Sequence, residues 1–92
     1  MTFTMYENKI IYTQDEKLLA EISFPACGED TKIVDINHTF ADPSLRGQGT
    51  AGVMMQQVAD SLRQTERKAV LSCSYAQKWF EKHPEYSDLI AD

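Results

Sequence analysis

The most informative segment of this chain is Pro43-Ser44-Leu45-Arg46-Gly47-Gln48-Gly49-Thr50-Ala51-Gly52, where three of the four glycines lie just before a helical pattern. Gly47 and Gly49 can adopt backbone angles closed to other residues, and they carry no side chain to keep a ligand away. The helix after them begins with unpaired N–H groups and the positive end of its dipole. The segment therefore predicts an anion site, most often one for phosphate or pyrophosphate, with Arg46 adding a permanent positive charge.

The spacing of this turn separates it from two common phosphate loops. A Walker loop requires Lys followed by Ser or Thr after its second glycine, whereas Thr50-Ala51 comes next here. Gly47-x-Gly49-x-x-Gly52 matches the dinucleotide fingerprint by letter. However, no acidic residue ends a second strand about 20 residues later, and the chain is too short for two mononucleotide-binding halves. An ordinary glycine-rich turn between a strand and a helix remains an alternative.

Length and charge narrow the class of protein. With 92 residues the chain is long enough for one small domain, which we expect to span residues 1–92. Apolar residues at 42% and charged residues at 25% are ordinary globular values that argue against disorder. The formal net charge of −5 argues against nucleic acid as a partner, because binding to its backbone requires an excess of Lys and Arg.

The first residues and the cysteines indicate a compartment. The chain opens on Met1-Thr2-Phe3-Thr4-Met5-Tyr6-Glu7, which has neither the basic nor the apolar region of a leader. No apolar run approaches the roughly 18 residues needed to cross a bilayer. Cys27 and Cys73 lie far apart without a Cys-x-x-Cys pattern, so two free thiols are expected. We expect a cytoplasmic monomer with no membrane partner, and no metal site is predicted.

Three strands are predicted before the glycine turn, at residues 8–13, 18–24 and 31–40. Polar and glycine-containing turns separate them, which favours an antiparallel meander. In the third and longest strand, a period of two places four side chains on one face: Val34, Ile36, His38 and Phe40. Asp35, Asn37 and Thr39 are then expected on the other face.

Helical periodicity replaces this alternation after the turn. A helix is predicted from Gly49 to about Thr65, with one apolar stripe made of Ala51, Met54 or Met55, Val58, Ala59 and Leu62. A buried strand at 68–73 should run parallel to the third strand, because a right-handed helical crossover joins them. A second helix, with Trp79 and Phe80 as core residues, ends at His83-Pro84. The order β-β-β-α-β-α predicts an α+β, three-layer arrangement around one mixed sheet.

The turn also resembles a known signature. Arg46-x-x-Gly49-x-Ala51, preceded by Asp42-Pro43, is similar to the (Arg/Gln)-x-x-Gly-x-(Gly/Ala) acetyl-CoA motif of the GNAT N-acetyltransferase superfamily. The likeness extends from Asp35 to Ile90 and includes Ser72-Cys73-Ser74-Tyr75 and His83-Pro84-Glu85-Tyr86, which look like the small GNAT-like proteins of bacteria and plants. The resemblance implies a truncated GNAT fold with a mixed, mostly antiparallel sheet.

The same resemblance implies acetyl-CoA, or free CoA, as the ligand. Its pyrophosphate would lie on the backbone of six turn residues: Arg46, Gly47, Gln48, Gly49, Thr50 and Ala51. Its pantetheine arm would run along residues 38–40, in a V-shaped slot between that strand and the strand at 68–73. Backbone N–H groups near Thr39 or Phe40 would stabilise the developing oxyanion. Ser72, Cys73 and Tyr75 would complete the cofactor site.

Three side chains are candidates for the chemistry. Cys73 would be a nucleophile or a group beside the thioester, with its pKa lowered by the helix after it, and the alternative is a small buried hydrophobic residue. His38 is the base by residue type, although the alternation places it on the apolar face, where a core histidine is equally expected. A bulge in its strand would reverse that assignment. Tyr75 lies where many GNAT enzymes carry the tyrosine that protonates the leaving thiolate, and otherwise it packs on the pantetheine or helps to start the helix.

The resulting hypothesis is an acetyl-CoA-dependent N-acetyltransferase that transfers acetyl directly to an amine. Full-length GNAT enzymes place one or two helices between their first strands to shape the acceptor site, and this chain has only turns there. An open, shallow acceptor side suits an exposed amine on a large partner. The principal alternative is a non-catalytic CoA- or acetyl-CoA-binding module or sensor. A small interaction domain whose turn binds no nucleotide is a third.

Overall fold

The computed structural model describes residues 2–45 and 47–91, and within them the chain forms seven strands, two α-helices and two 3-10 turns. The strands are β1 Thr2–Met5, β2 Lys9–Gln14, β3 Lys17–Ser23, β4 Ala26–Cys27, β5 Asp30–Ile36, β6 His38–Ala41 and β7 Lys68–Leu71. The helices are α1 Thr50–Gln64 and α2 Ser74–Glu81, and the 3-10 turns span Pro43–Leu45 and Pro84–Leu89. The predicted α+β class is confirmed.

The strands form two sheets. The first has the order β1-β2-β3-β6 and is antiparallel throughout. The second has the order β4-β5-β7, in which β5 and β7 are parallel, as the helical crossover predicts. The expectation of one sheet with four strands is therefore wrong. It missed β4, which has two residues, and β1, whose four residues precede the first clear alternation.

A single strand at 31–40 is also wrong, because the backbone breaks at Asn37. The Asn37 N–H donates to Ser23 O of β3 at 3.2 Å, whereas the Cys73 N–H donates to Ile36 O at 3.0 Å. Thus β5 stays beside β7 while β6 pairs with β3 alone, and β6 and β7 diverge. The predicted face is wrong beyond the break: Val34 and Ile36 are fully buried, but His38 is exposed and Phe40 is 40% exposed.

One apolar cluster joins both sheets and both helices. The buried stripe of α1 is close to the prediction and consists of Met54, Met55, Val58, Ala59 and Leu62. In α2, Ala76, Trp79 and Phe80 are buried, which confirms the core assignment. The prediction of a buried strand at 68–73 is correct for only one face of β7: Ala69 is buried, but its neighbour Val70 is 37% exposed. The physical reason is that the buried faces of α1 and α2 join the same cluster, so the opposite face of β7 stays open.

Two smaller features bear on the environment of the chain. Cys27 and Cys73 are both free thiols, as their spacing predicts. Within residues 2–45 and 47–91, neither helix is long and apolar enough to cross a membrane.

Candidate active site

The glycine turn is held by its own backbone and by Asp42. The Asp42 carboxylate accepts a hydrogen bond from the Ser44 N–H at 2.9 Å, and its carbonyl accepts one from Leu45 at 2.9 Å, which closes the 3-10 turn. Hydrogen bonds from Ser44 lower the pKa of the Asp42 carboxyl, with a smaller contribution from the charge of Lys17. The Gln48 N–H then donates to Leu45 O at 3.1 Å. These contacts place the turn directly against the start of α1.

Gly47 and Gly49 have positive φ angles of 80° and 72°. A Cβ at either position would have nothing within 4 Å, so the backbone angle, rather than a lack of space in the protein, requires glycine there. Gly49 is the N-cap of α1, and within the described residues no side chain caps the amides of the first turn. Arg46 lies outside the described residues, and its contribution stays a prediction.

Several amides at this turn have no partner within the described part of the protein. The first helical hydrogen bond runs from the Val53 N–H to Gly49 O at 3.1 Å. No acceptor among residues 2–45 and 47–91 receives a hydrogen bond from five earlier amides, those of Gly47, Gly49, Thr50, Ala51 and Gly52. Amides that open a helix in this way form a site for an anion. A cluster of free amide donors is what the sequence analysis predicts for this turn, and that binding of a phosphate group follows from it stays a prediction.

A second group of residues lies where β6 and β7 diverge. Cys73 is the N-cap of α2, and its Sγ–H donates to Thr39 Oγ1 at 3.4 Å across the gap. Thr39 shares the inner face of the first sheet with Ile22 of β3, directly opposite. The divergence leaves β6 paired only on its β3 side among the described strands. The gap corresponds in position to the slot that the resemblance implies.

The surroundings of Cys73 favour its ionised form. Partial burial by itself would raise the pKa of the thiol. Once ionised, however, the sulfur accepts hydrogen bonds from the Thr39 hydroxyl and from the backbone of Ala76, Tyr75 and Thr39, and these together lower the pKa below its ordinary value. Desolvation, and next the charge of Cys73, raise the pKa of Tyr75 above its ordinary value. At neutral pH, Tyr75 therefore holds its proton beside a thiol that releases its own more readily.

His38 does not join this group. It pairs with Ser23 across β6 and β3, on the face opposite to Thr39, and it is exposed. The structure therefore brings together Thr39, Cys73 and Tyr75, and turns the predicted base away from them. Phe40 lies on the same outer face as His38, and Ser72 is exposed just before Cys73.

Gly52 connects the turn to this group, a contact that the sequence analysis missed. A Cβ on Gly52 would lie 3.7 Å from Tyr75 Oη and 3.9 Å from Trp79 Nε1. Tyr75 and Trp79 are four residues apart on α2, so they share one face, and that spacing is the signal that could have found the contact. The contacts run from Gly52 through Tyr75 to Cys73 and Thr39.

Known proteins resemble this chain in sequence. A family model described as GCN5-related N-acetyl-transferase matches residues 6–89. The protein NATD1 of Gallus gallus is 34% identical over 53 residues, which are 58% of this chain and 48% of that protein; NATD1 of Homo sapiens is 34% identical over 53 residues, 58% of this chain and 47% of that protein. The aligned part thus spans about half the length of these curated relatives.

Solved structures show the same fold. A GCN5-like protein from Staphylococcus aureus superposes with a TM-score of 0.76 at 28% identity, covering 98% of this chain and 87% of that chain. The ribosomal-protein-S18-alanine N-acetyltransferase from Escherichia coli gives a TM-score of 0.64 at 18% identity, with 80% of this chain and 49% of that chain covered, and supports the fold alone. With a family model matched over most of its length and a glycine turn opening α1, this chain belongs to the GCN5-related N-acetyltransferase family.

Proposed function

We propose that this chain binds acetyl-CoA and transfers its acetyl group to an amine that is exposed on a larger partner. The observation that carries the proposal is the set of five amides between Gly47 and Gly52 without an acceptor among the described residues, which the contact of Gly52 with Tyr75 links to the thiol of Cys73. One end suits a diphosphate and the other suits a thioester. Residues 1–92 act in this proposal as one domain and as a monomer.

The residues that hold the ligand are assigned from this arrangement. The amides of the turn, with Arg46 and Gln48, bind the diphosphate. The free edge of β6 at Thr39 and Phe40 offers backbone groups to the pantetheine arm, in the manner of an added strand. A solved relative from Clostridium acetobutylicum was crystallised with acetyl-CoA, and its TM-score to this chain is 0.59 at 17% identity, which supports the fold of such a site only.

The transfer itself requires one bond to form and one to break. In direct transfer the uncharged amine nitrogen bonds to the acetyl carbon and loses a proton to water, the carbon–sulfur bond breaks, and the leaving thiolate takes a proton. Tyr75 supplies that proton, because its raised pKa keeps the hydroxyl protonated at neutral pH. The backbone N–H groups of Thr39 or Phe40 stabilise the oxyanion.

Cys73 offers a two-step variant of the same transfer. Its thiolate, favoured by the lowered pKa, bonds to the acetyl carbon and displaces the thiolate of CoA, and the amine then displaces Cys73. This variant predicts slow loss of acetyl from bound acetyl-CoA without any acceptor. Direct transfer predicts that Cys73→Ala retains turnover.

A specific observation favours a second candidate, a non-catalytic acetyl-CoA-binding module. His38, the predicted base, points away from Thr39 and Cys73, so the acceptor amine would have to arrive deprotonated or lose its proton to water. A binding module would hold acetyl-CoA without consuming it. Incubating the protein with acetyl-CoA, alone and with an exposed-amine acceptor, and measuring free CoA separates the two candidates.

The first prediction tests the phosphate turn. Acetyl-CoA should perturb the amides of residues 47–52 most in an NMR titration, and Gly49→Val should abolish this binding. A β-branched side chain resists the φ of 72° and would occupy the space where the diphosphate lies.

Gly28→Val is the matched control for Gly49→Val. Gly28 has a similar φ of 58° with nothing within 4 Å of its Cβ position, and it lies in the turn between β4 and β5. The control should suffer comparable backbone strain and still bind. A folded Gly49→Val protein with unchanged affinity for acetyl-CoA would refute the phosphate turn.

A further inference from the structure

Two hydrogen-bond donors converge on the bare backbone of Gly52. Tyr75 Oη and Trp79 Nε1 lie 3.7 Å and 3.9 Å from the point that a Cβ of Gly52 would occupy. Within the described part of the chain, neither the Tyr75 hydroxyl nor the Trp79 indole N–H has a hydrogen-bond acceptor. Trp79 is only 7% exposed as a whole, but among the described residues Asp35 Oδ1 is the only fully buried side-chain polar atom without a partner, so the indole N–H stays accessible at the surface.

The indole is held in a fixed orientation. His83 stacks on it with ring centroids 4.0 Å apart and planes inclined by 16°, and Phe80 contacts it edge-on at 5.1 Å. His83 Nδ1 lies 2.7 Å from Trp79 O, which ties the stacking ring to the end of α2. Tyr86 packs on a further side, with its centroid at 5.5 Å. The N–H direction is therefore set before any ligand arrives.

The Trp79 N–H lies between the glycine turn at the start of α1 and the group around Cys73. Gly52 belongs to the first turn of α1, whose amides have no acceptor among residues 2–45 and 47–91, so the diphosphate end is adjacent. Tyr75 lies close enough to Cys73 for the charge of that thiol to raise its pKa, in addition to desolvation. The thioester end of the ligand would therefore lie on the Cys73 side of Tyr75. In acetyl-CoA these two ends are joined by the pantetheine arm, which carries two amide groups.

We propose that Gly52, Tyr75 and Trp79 form a seat for an amide carbonyl oxygen of the pantetheine arm, with the Trp79 N–H as the donor to that oxygen. This inference rests on the proposed function, since the seat has no role without that ligand. Gly52 admits the arm because it has no side chain, and Tyr75 forms the other wall. A neutral donor in a largely buried wall matches a neutral carbonyl, whereas the charged diphosphate is served by the helix amides.

The chain has one tryptophan, so its indole gives a single side-chain N–H resonance. The full chain is titrated with CoA and, in parallel, with ADP, which has the diphosphate but lacks the pantetheine arm. CoA should shift both the amides of residues 47–52 and the indole N–H, and ADP should shift the amides alone.

Two variants test the seat in different ways. Trp79→Phe removes the donor, and Gly52→Ala places a methyl group at ordinary van der Waals distance from both side chains, so that the fold is retained while the seat is filled. Each should weaken CoA binding by about three- to tenfold, the value of one neutral hydrogen bond, and leave ADP binding unchanged. Val53→Ala, on an exposed neighbour in α1, is the matched control and should bind like the parent.

The outcomes separate this inference from the proposed function. If CoA shifts the turn amides but leaves the indole resonance in place, or if both seat variants bind CoA like the parent, the seat is wrong and the phosphate turn stands. If neither CoA nor ADP shifts the turn amides, both the proposed function and the proposed carbonyl seat are wrong. Equal loss of CoA and ADP affinity in Gly52→Ala would also overturn the seat, because the effect would then lie on the phosphate.

Discussion

At the scale of single residues, the environment of Cys73 changes the pKa of its thiol. Its thiol is partly buried, which by itself opposes ionisation, yet hydrogen bonds from Thr39 and from the start of α2 outweigh that effect and lower its pKa. The helix explains the direction, because backbone N–H groups at its first turn point toward the sulfur. Thr39 is the one side chain in this set that a substitution can remove cleanly.

We therefore predict the pH dependence of Cys73 alkylation. In a Cys27→Ala background, the rate with iodoacetamide should rise with pH at a midpoint below that of free cysteine, since the folded pKa is lowered. Thr39→Val should move the midpoint upward by removing the hydroxyl, and Thr39→Ser should keep it near the parent. Acetyl-CoA should slow the reaction. Alkylation equally slow with and without ligand would assign Cys73 to the core.

The same residue gives a sign for the pH dependence of stability. Because the folded pKa of Cys73 lies below the unfolded value, ionisation of its thiol stabilises the folded state as the pH rises through the folded pKa. That contribution is complete above the unfolded pKa. It is absent at pH values below the folded pKa, where the thiol is protonated in both states.

At the scale of elements, the β2–β3 hairpin carries backbone strain. Gln14 pairs with Lys17, so the loop consists of Asp15 and Glu16, both with positive φ angles, 53° and 62°. A two-residue loop with two positive φ angles is the turn that favours Asn-Gly. Side chains with a Cβ adopt this region at a cost.

Replacing the loop by Asn-Gly should stabilise the protein. We expect the double variant Asp15→Asn with Glu16→Gly to raise the free energy of unfolding by about 0.5–1 kcal/mol, measured by urea denaturation. Asp15→Asn with Glu16→Gln removes the same charges without the glycine and should gain less. No gain in the Asn-Gly variant relative to this control would contradict the strain argument.

The end of the chain is fastened to α1 by a polar cluster. Arg63 donates to both carboxylate oxygens of Asp88 at 2.9 and 3.0 Å and to Glu85 O at 3.1 Å, and Tyr86 donates to Asp60 at 2.8 Å. The hydrogen bond from Arg63 is the largest influence on the pKa of Asp88, which is lowered. A bidentate pair of this kind has the geometry in which an exposed ion pair contributes to stability.

We predict that Asp88→Asn lowers stability at neutral pH in low salt. Since the folded pKa of Asp88 is depressed, its contribution is present above the unfolded pKa and is lost as the pH falls through the folded pKa. The difference in urea midpoint between parent and variant should therefore shrink as the pH falls through the lowered pKa of Asp88, and also in about 1 M salt, where the screening length is about 3 Å. Glu81→Gln, at an exposed position of α2, is the control. A difference independent of both pH and salt would exclude the ion pair as its cause.

At the scale of the whole molecule, hydrogen bonds between residues far apart in the sequence connect the two sheets and the C-terminal segment. Ala91 N–H donates to Ala69 O at 2.7 Å, which holds the end of the described chain against β7. Arg67 is only 8% exposed and fastens the turn after β1, because its guanidinium donates to Glu7 O at 2.9 Å as well as to Thr65 Oγ1 at 2.8 Å. No pattern in the sequence marked Arg67 as buried, since its partner Glu7 lies 60 residues away and offers a backbone carbonyl.

Features that depend on neighbours along the chain could be predicted from the sequence. The glycine turn, the apolar stripe of α1 and the core face of α2 were predicted from spacing, because helical periodicity and glycine's backbone freedom are local properties. The parallel pairing of β5 with β7 agreed with a general rule of helical crossovers. Family membership was predicted from the resemblance of Arg46-x-x-Gly49-x-Ala51 and of the longer segment from Asp35 to Ile90 to known proteins.

The break at Asn37 and its consequences, in contrast, depend on tertiary contacts. Whether a residue continues a strand or leaves it for another sheet is set by distant partners, here Ser23 and Cys73, and the alternation alone cannot show them. One irregular residue moves every later side chain to the opposite face, which placed Thr39 beside Cys73 and turned His38 outward. The contact of Trp79 with Gly52 also depends on tertiary structure, because it forms only where α1 and α2 pack against each other.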